Sequence, residues 1–183
     1  MLFTTTVNTA DELKQVHDLS FKNLKVNLGD DEIEKEGFTS WNYSMELLQQ
    51  LHSLAPSVIV KDDDKVVAYA LVALIESRAF HKDLNKMIED LNRLTYNGKL
   101  LSEYKFYCMG QICIDKDYRG KGVFPMLYNE HKKLHENNFD FIVTEISTLN
   151  ARSVRAHEKV GFKTIYTYKD AMDEWNVVLW NWQ

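Results

Sequence analysis

Apolar positions along the chain recur with two periods, two and about three and a half, and the changes between them mark out the elements. Residues 2–7 alternate as a short strand. Asn8 or Thr9 then offers an N-cap, and Glu12, three residues after Thr9, completes a capping box. Leu13, Val16 and Leu19 follow at near-helical spacing, so a helix runs to about Asn23. Residues 44–54 form a second helical stretch that stops before Pro56, because a residue before proline avoids the α region. Residues 57–61 and 65–75 are β-branched and apolar around Asp62-Asp63-Asp64, a hairpin signal with a solvated acidic turn.

The second half repeats the same switches. Phe80, Leu84, Met87, Ile88 and Leu91 stripe a helix over 78–94, ended by Asn97-Gly98. Residues 104–114 read as a long strand. A helix over 124–136 carries Phe124, Leu127, Tyr128, His131 and Leu134 on one face. A strand at 139–147, a short helix at 150–160 and two closing strands at 161–168 and 175–182 complete the chain. Hairpins at both ends and a strand–helix–strand crossover between them predict an α/β (α+β) fold around one mixed sheet. With 183 residues, few prolines and no linker, the chain reads as one domain.

Composition narrows the function classes. A formal net charge of −5 argues against a general nucleic-acid binder. The longest apolar run, 66–75, is too short to span a bilayer, and the first residues do not read as a signal peptide. The two cysteines, Cys108 and Cys113, alternate onto opposite faces of one strand and cannot pair, which fits a reducing cytoplasm. His131 and His135 have the spacing of a zinc pair, but no third ligand accompanies them, so no metal is expected. The acidic stretch 30–36 reads as a solvated face or as an attractor for a cationic acceptor.

The strongest chemical signal is 111–124, Gln-Ile-Cys-Ile-Asp-Lys-Asp-Tyr-Arg-Gly-Lys-Gly-Val-Phe. A hydrophobic strand ends at Asp115, two glycines bracket a lysine, and an amphipathic helix begins. Glycines let backbone pass close to a ligand, and the unpaired N–H groups of a helix start suit a phosphate. The Walker pattern fails because Gly120-Lys121 is followed by Gly122-Val123, and the dinucleotide fingerprint fails at Pro125. The second signal is 150–162, Asn-Ala-Arg-Ser-Val-Arg-Ala-His-Glu-Lys-Val-Gly-Phe.

Together the two segments resemble the GNAT superfamily of N-acetyltransferases. Arg119 and Gly122 match that family's Arg-x-x-Gly-x-Gly/Ala loop, and Asn150, Gly161 and Phe162 match its Asn-x-x-Ala-x-x-x-Tyr-x-x-x-Gly-Phe segment. The close match covers about 104–165. The resemblance implies a mostly antiparallel sheet of six to seven strands with a central splay, flanked by helices. It implies acetyl-CoA as co-substrate and direct attack by a neutral amine in a ternary complex. The backbone of Ile112, Cys113 and Ile114 would pair with the pantetheine arm. The loop Arg119, Gly120, Lys121, Gly122, Val123 and Phe124 would hold the diphosphate, with Asn150, Ser153 and His157 completing the cofactor site.

Three positions depart from the family pattern: Phe124 replaces a small residue, Ser153 an alanine, and His157 the tyrosine that often protonates the CoA sulfur. A histidine can also donate a proton, so His157 is a candidate acid. Glu145 shares a strand face with Phe141 and Val143, and a carboxylate on an apolar face is a candidate base. The acceptor is a small-molecule amine or a protein amine, with neither nucleic acid nor membrane among the partners; a homodimer stays open. So does a second class of function, a non-catalytic acyl-CoA-binding regulatory module.

Overall fold

The computed structural model describes the backbone of residues 1–183 and all side chains except those of Glu34 and Lys35. The elements run β1 (Leu2–Thr6), α1 (Ala10–Lys22), α2 (Asp30–Glu36), α3 (Met45–Leu54), β2 (Val58–Asp62), β3 (Lys65–Ala73) and α4 (Lys82–Asn92). They continue with β4 (Thr95–Tyr96), β5 (Lys99–Leu100), β6 (Phe106–Ile114), α5 (Val123–His135), β7 (Phe141–Ser147), α6 (Ala151–Val160), β8 (Lys163–Lys169) and β9 (Glu174–Asn181). Seven strands form one sheet in the order β1-β2-β3-β6-β7-β9-β8. Of its pairings only β6–β7 is parallel. No helix among the described residues is long and apolar enough to cross a membrane.

Local chemistry explains most boundaries. The capping box at α1 is present: Thr9 Oγ1 accepts from the Glu12 amide at 3.1 Å, and Glu12 Oε2 accepts from the Thr9 amide at 3.1 Å. Ser44 caps α3, and Ala55 ends it in an extended conformation ahead of Pro56. The helix expected over 78–94 is shorter. A 3-10 turn spans Ile75–Ala79, and α4 starts only after His81, whose Nδ1 accepts from the Asp83 amide at 3.2 Å. Asn97-Gly98 does not stop that helix, which ends at Asn92 with Arg93 as its C-cap. Their φ values of 50° and 81° close the β4–β5 hairpin, the conformation for which Asn-Gly is favoured.

The sheet has a core on each face. Leu13, Val16, Leu48, Leu84 and Ile88 from α1, α3 and α4 cover one side. Leu127 and Tyr128 from α5, with Phe162 after α6, cover the other. His131 joins the buried face of α5 as expected, whereas Leu134 points to solvent.

Strand β6 corrects one reading of the sequence. Ala70 pairs with Ile112 and Val72 with Met109, so Gly110 and Gln111 together stand opposite Leu71. Such a bulge inserts one extra residue and reverses the alternation beyond it. Cys108 and Cys113 therefore pack in the same core, toward α1, α3 and α4, and not on opposite faces. Both are free thiols, and burial pushes Cys113 up to about 12, which keeps it a thiol.

Candidate active site

Strands β6 and β7 pair only over Phe106↔Phe141, Tyr107↔Ile142 and Cys108↔Val143. Past that point β6 stays with β3 as far as Ile114, while β7 stays with β9 as far as Ser147. The two strands part, and among the described residues no strand pairs with the edge of β6 that faces the gap. At the fork, Thr144 Oγ1 donates to the Met109 carbonyl at 2.9 Å.

A cleft of about 620 Å³ opens from this gap, within the range of small-molecule and cofactor sites. Ile112, Cys113 and Ile114 line one wall, Asn150 and Ser153 the other, and Gly120, Gly122, Val123 and Phe124 the turn between them. Gly120 and Gly122 take φ of 75° and 78°, and a Cβ on either would meet nothing within 4 Å. The turn therefore bends where only glycine does so cheaply, and its outer side is open. Gly122 is the N-cap of α5 and gives no side-chain bond, so the first N–H groups of that helix lie open at the cleft.

Arg119 fixes the base of the turn. Its Nε donates to the Ile114 carbonyl at 3.0 Å and its second terminal nitrogen to Asn23 Oδ1 at 2.8 Å. Asn150 caps α6 by accepting from the Ser153 amide at 3.2 Å. Phe124 half-faces the cleft and half-packs inward, its ring 5.2 Å from Tyr128 and 5.0 Å from His157.

Three expected residues lie off the cleft wall. Lys121 turns its ammonium over the Tyr118 ring, 5.3 Å from the centroid. His157 is 1% exposed beneath Phe124 and Phe162. Its Nδ1 meets the Ser153 carbonyl at 2.8 Å and its Nε2 meets Tyr128 Oη at 2.6 Å. A carbonyl only accepts, so Nδ1 carries the proton and Nε2 accepts from the phenol. Burial depresses the ring to about 4, so it is neutral near neutrality and aims no proton at the cleft.

Glu145 lies two residues past the last β6–β7 pair, on the α4 face of the sheet with Phe141 and Val143. Burial raises its carboxyl to about 7, with Asp90 and Asp170 adding to the rise and a hydrogen bond from Tyr168 opposing it. Such a group is half-deprotonated near neutrality. His131 is buried, with Tyr107 Oη at 2.9 Å, and no cluster able to hold a metal occurs among the described residues.

Other cleft residues were not foreseen. Arg152, Arg155 and Lys159 bring positive charge along one face of α6. Their i, i+3, i+7 spacing is a sequence signal that could have found them. Asn23 and the stretch from Glu36 to Thr39 also line the cleft. Glu36 meets its partners across 83 and 116 residues of chain, a separation without local signal.

Comparison with known proteins agrees with this geometry. The Acetyltransferase (GNAT) family profile matches residues 28–162. No curated protein matches the chain in sequence. Among solved structures, the ribosomal-protein-S18-alanine N-acetyltransferase from Escherichia coli is 12% identical with a TM-score of 0.65, covering 99% of this chain and 94% of that one. The NatC complex bound to Gag peptide and CoA is 11% identical with a TM-score of 0.66, covering 100% and 99%. The yncA protein of Salmonella typhimurium, solved with its cofactor acetyl-CoA, is 12% identical with a TM-score of 0.63, covering 100% and 94%. At these identities the likeness is one of fold.

Proposed function

This chain belongs to the GNAT acetyltransferase family, and on that premise we propose that it transfers acetyl from acetyl-CoA to an amine by direct attack in a ternary complex. The observation that carries the reading is the parting of β6 and β7 immediately before a glycine turn and an open helix start. The free edge of β6 at Ile112–Ile114 suits the amide groups of a pantetheine arm, which can pair with backbone as a strand does. The amides from Gly120 to Phe124 suit the diphosphate, and Arg152, Arg155 and Lys159 supply cations to the same cleft. Ser153 adds a hydroxyl to its far wall.

Transfer forms a C–N bond to the acetyl carbon and breaks its C–S bond. The nitrogen loses a proton and the sulfur leaves as a thiolate that takes one up. Holding the two substrates at the fork removes the entropy of bringing them together. Glu145 is the base of this reading. It sits on the face away from α5 and α6, and a carboxyl near 7 matches the solvent pH at which it must accept a proton. His157 acts through Tyr128 as a positioning residue, because both of its nitrogens are engaged inside the protein. The acceptor is a small-molecule or protein amine.

A second reading, a module that binds acyl-CoA without turning it over, is favoured by one observation. The position where the resemblance places a proton donor holds an imidazole whose proton is already bonded to a carbonyl. Release of free CoA thiol from acetyl-CoA over a panel of small and peptide amines separates the two. Amine-dependent release is expected. Tight acetyl-CoA binding with no release from any amine would leave the module as the function.

A further inference from the structure

One carboxylate lies between two arginines at the mouth of the cleft. Glu36 Oε2 accepts from Arg119 at 2.9 Å and from Arg152 at 2.7 Å. The arginines come from opposite banks of the parted strands: Arg119 from the turn after β6, Arg152 from the first turn of α6 after β7. Glu36 therefore bridges the opening that a cofactor would enter.

The chain that follows Glu36 is seated on the segment after α1 and on the start of α6. The Thr39 amide donates to the Asn23 carbonyl at 2.9 Å, and the Lys25 amide to the Thr39 carbonyl at 3.0 Å. Asn150 Nδ2 donates to the Phe38 carbonyl at 3.0 Å. Gly37 takes a φ of +76°, and a Cβ there would come within 2.8 Å of Asn150 Oδ1. Only glycine allows this strap to lie so close to the cap of α6. Residues 36–39 thus form a wall of the cleft and cross its mouth.

We infer that Glu36 is a built-in anion that holds the strap shut on Arg119 and Arg152, and that the polyanionic end of CoA displaces it on binding. The inference rests on the CoA seat proposed above. The contact is suited to exchange. The Glu36 side chain is 39% exposed and that of Arg152 38%, and exposed ion pairs of this kind are weak. Arg119, at 13% exposed, keeps its bonds to Ile114 and Asn23 and stays as the fixed post. A diphosphate offers these guanidiniums more negative charge and better bidentate geometry than one carboxylate. Displacement would also free the residues that lead to Trp41, which packs with Tyr43 on the α1 and α4 side of the sheet. Cofactor loading at one face would then loosen the segment bordering the other.

The test is calorimetric titration of CoA into the intact chain, the Glu36→Gln variant and an Asp30→Asn control. Glutamine keeps the shape and can still accept from an arginine, but removes the competing charge. Glu36→Gln is expected to bind CoA about three- to tenfold more tightly at low salt, the size of one screened charge contact. The gain should shrink as salt is raised. Asp30→Asn, which removes a charge from the same helix away from the arginines, should change affinity by less than about twofold. Hydrogen exchange on the unmodified chain supplies a second readout, with faster exchange at the Thr39 and Lys25 amides once CoA is bound. Weaker or unchanged CoA binding by Glu36→Gln, or added protection at those amides, would overturn the latch while leaving the CoA seat intact. Binding by the variant but not by the unmodified chain would support it. Absence of CoA binding in every form would overturn the seat and the latch together.

Discussion

Beneath Phe124 and Phe162, His157 has both ring nitrogens engaged inside the protein. Its two nitrogens tie Tyr128 to the carbonyl of Ser153, and Tyr128 is itself fully buried. Replacing His157 with Phe leaves the Tyr128 hydroxyl without its acceptor, so a loss of about 1–3 kcal/mol in denaturant unfolding is expected. The double variant Tyr128→Phe/His157→Phe should recover part of that loss, since no polar atom is then stranded. The pH dependence of turnover should not move in His157→Phe; a lost alkaline limb would mean that the ring is the acid after all. Glu145 gives the opposite expectation. Its carboxyl titrates near 7, and only the deprotonated form accepts a proton, so the rate should rise through about pH 7 and then level. Glu145→Gln should abolish that rise and lower the plateau by about 10²–10⁴-fold. Strand alternation was enough to place Glu145 on an apolar face. The partner of His157 was not legible, because Tyr128 lies 29 residues away and meets it only after α5 and α6 pack together.

At the level of elements, the turn from β6 to α5 was legible because its constraints are local. Two left-handed glycines around one lysine, between a strand and a helix, have few other uses. The space above Gly122 is open, so a larger side chain meets solvent and the place of a ligand, not protein. Gly122→Val should weaken CoA binding at least about tenfold, with a stability cost of about 1–2 kcal/mol from the left-handed backbone. Equal losses of binding and of folding would instead make the glycine purely structural. The bulge in β6 was not legible. An extra residue costs nothing in apolar patterning at the strand's ends, yet it turns Cys113 to the face of Cys108. The start of α4 was missed for a similar reason: the stripe from Phe80 onward is helical in spacing, but the cap made by His81 cuts the helix there.

For the molecule as a whole, the mixed sheet and the class of fold followed from the order of elements that periodicity marks, whereas the two cores appear only once the helices pack on its faces. The strap over the cleft did not follow, because the Glu36 bonds that close it join α2 to residues more than eighty positions away. Buried histidines set a further property of the whole chain. Burial holds His131 at about 3 and His157 at about 4, both below the ordinary imidazole value. The unfolded chain therefore binds more protons than the folded one once the pH falls below about 6.5. Stability contributed by these neutral rings is present above that pH and lost as pH falls toward 4. Glu145 works the other way, because its raised carboxyl favours the protonated fold and loses stability as pH rises toward 7. The urea midpoint should fall steeply on acidification from 6.5, and His157→Phe should reduce that slope by about one proton's worth. An unchanged slope would show that the ring titrates normally.

If the parted strands and the glycine turn form one seat for CoA, the cofactor must touch the backbone of both. Titration of CoA into isotopically labelled protein, followed by amide resonances, reads this contact residue by residue. The largest shifts are expected on Ile112–Ile114 and on the amides from Gly120 to Phe124, with smaller ones along α6 at Arg152 and Arg155. Saturable binding with those amides unmoved, or no binding at all, would contradict such a seat.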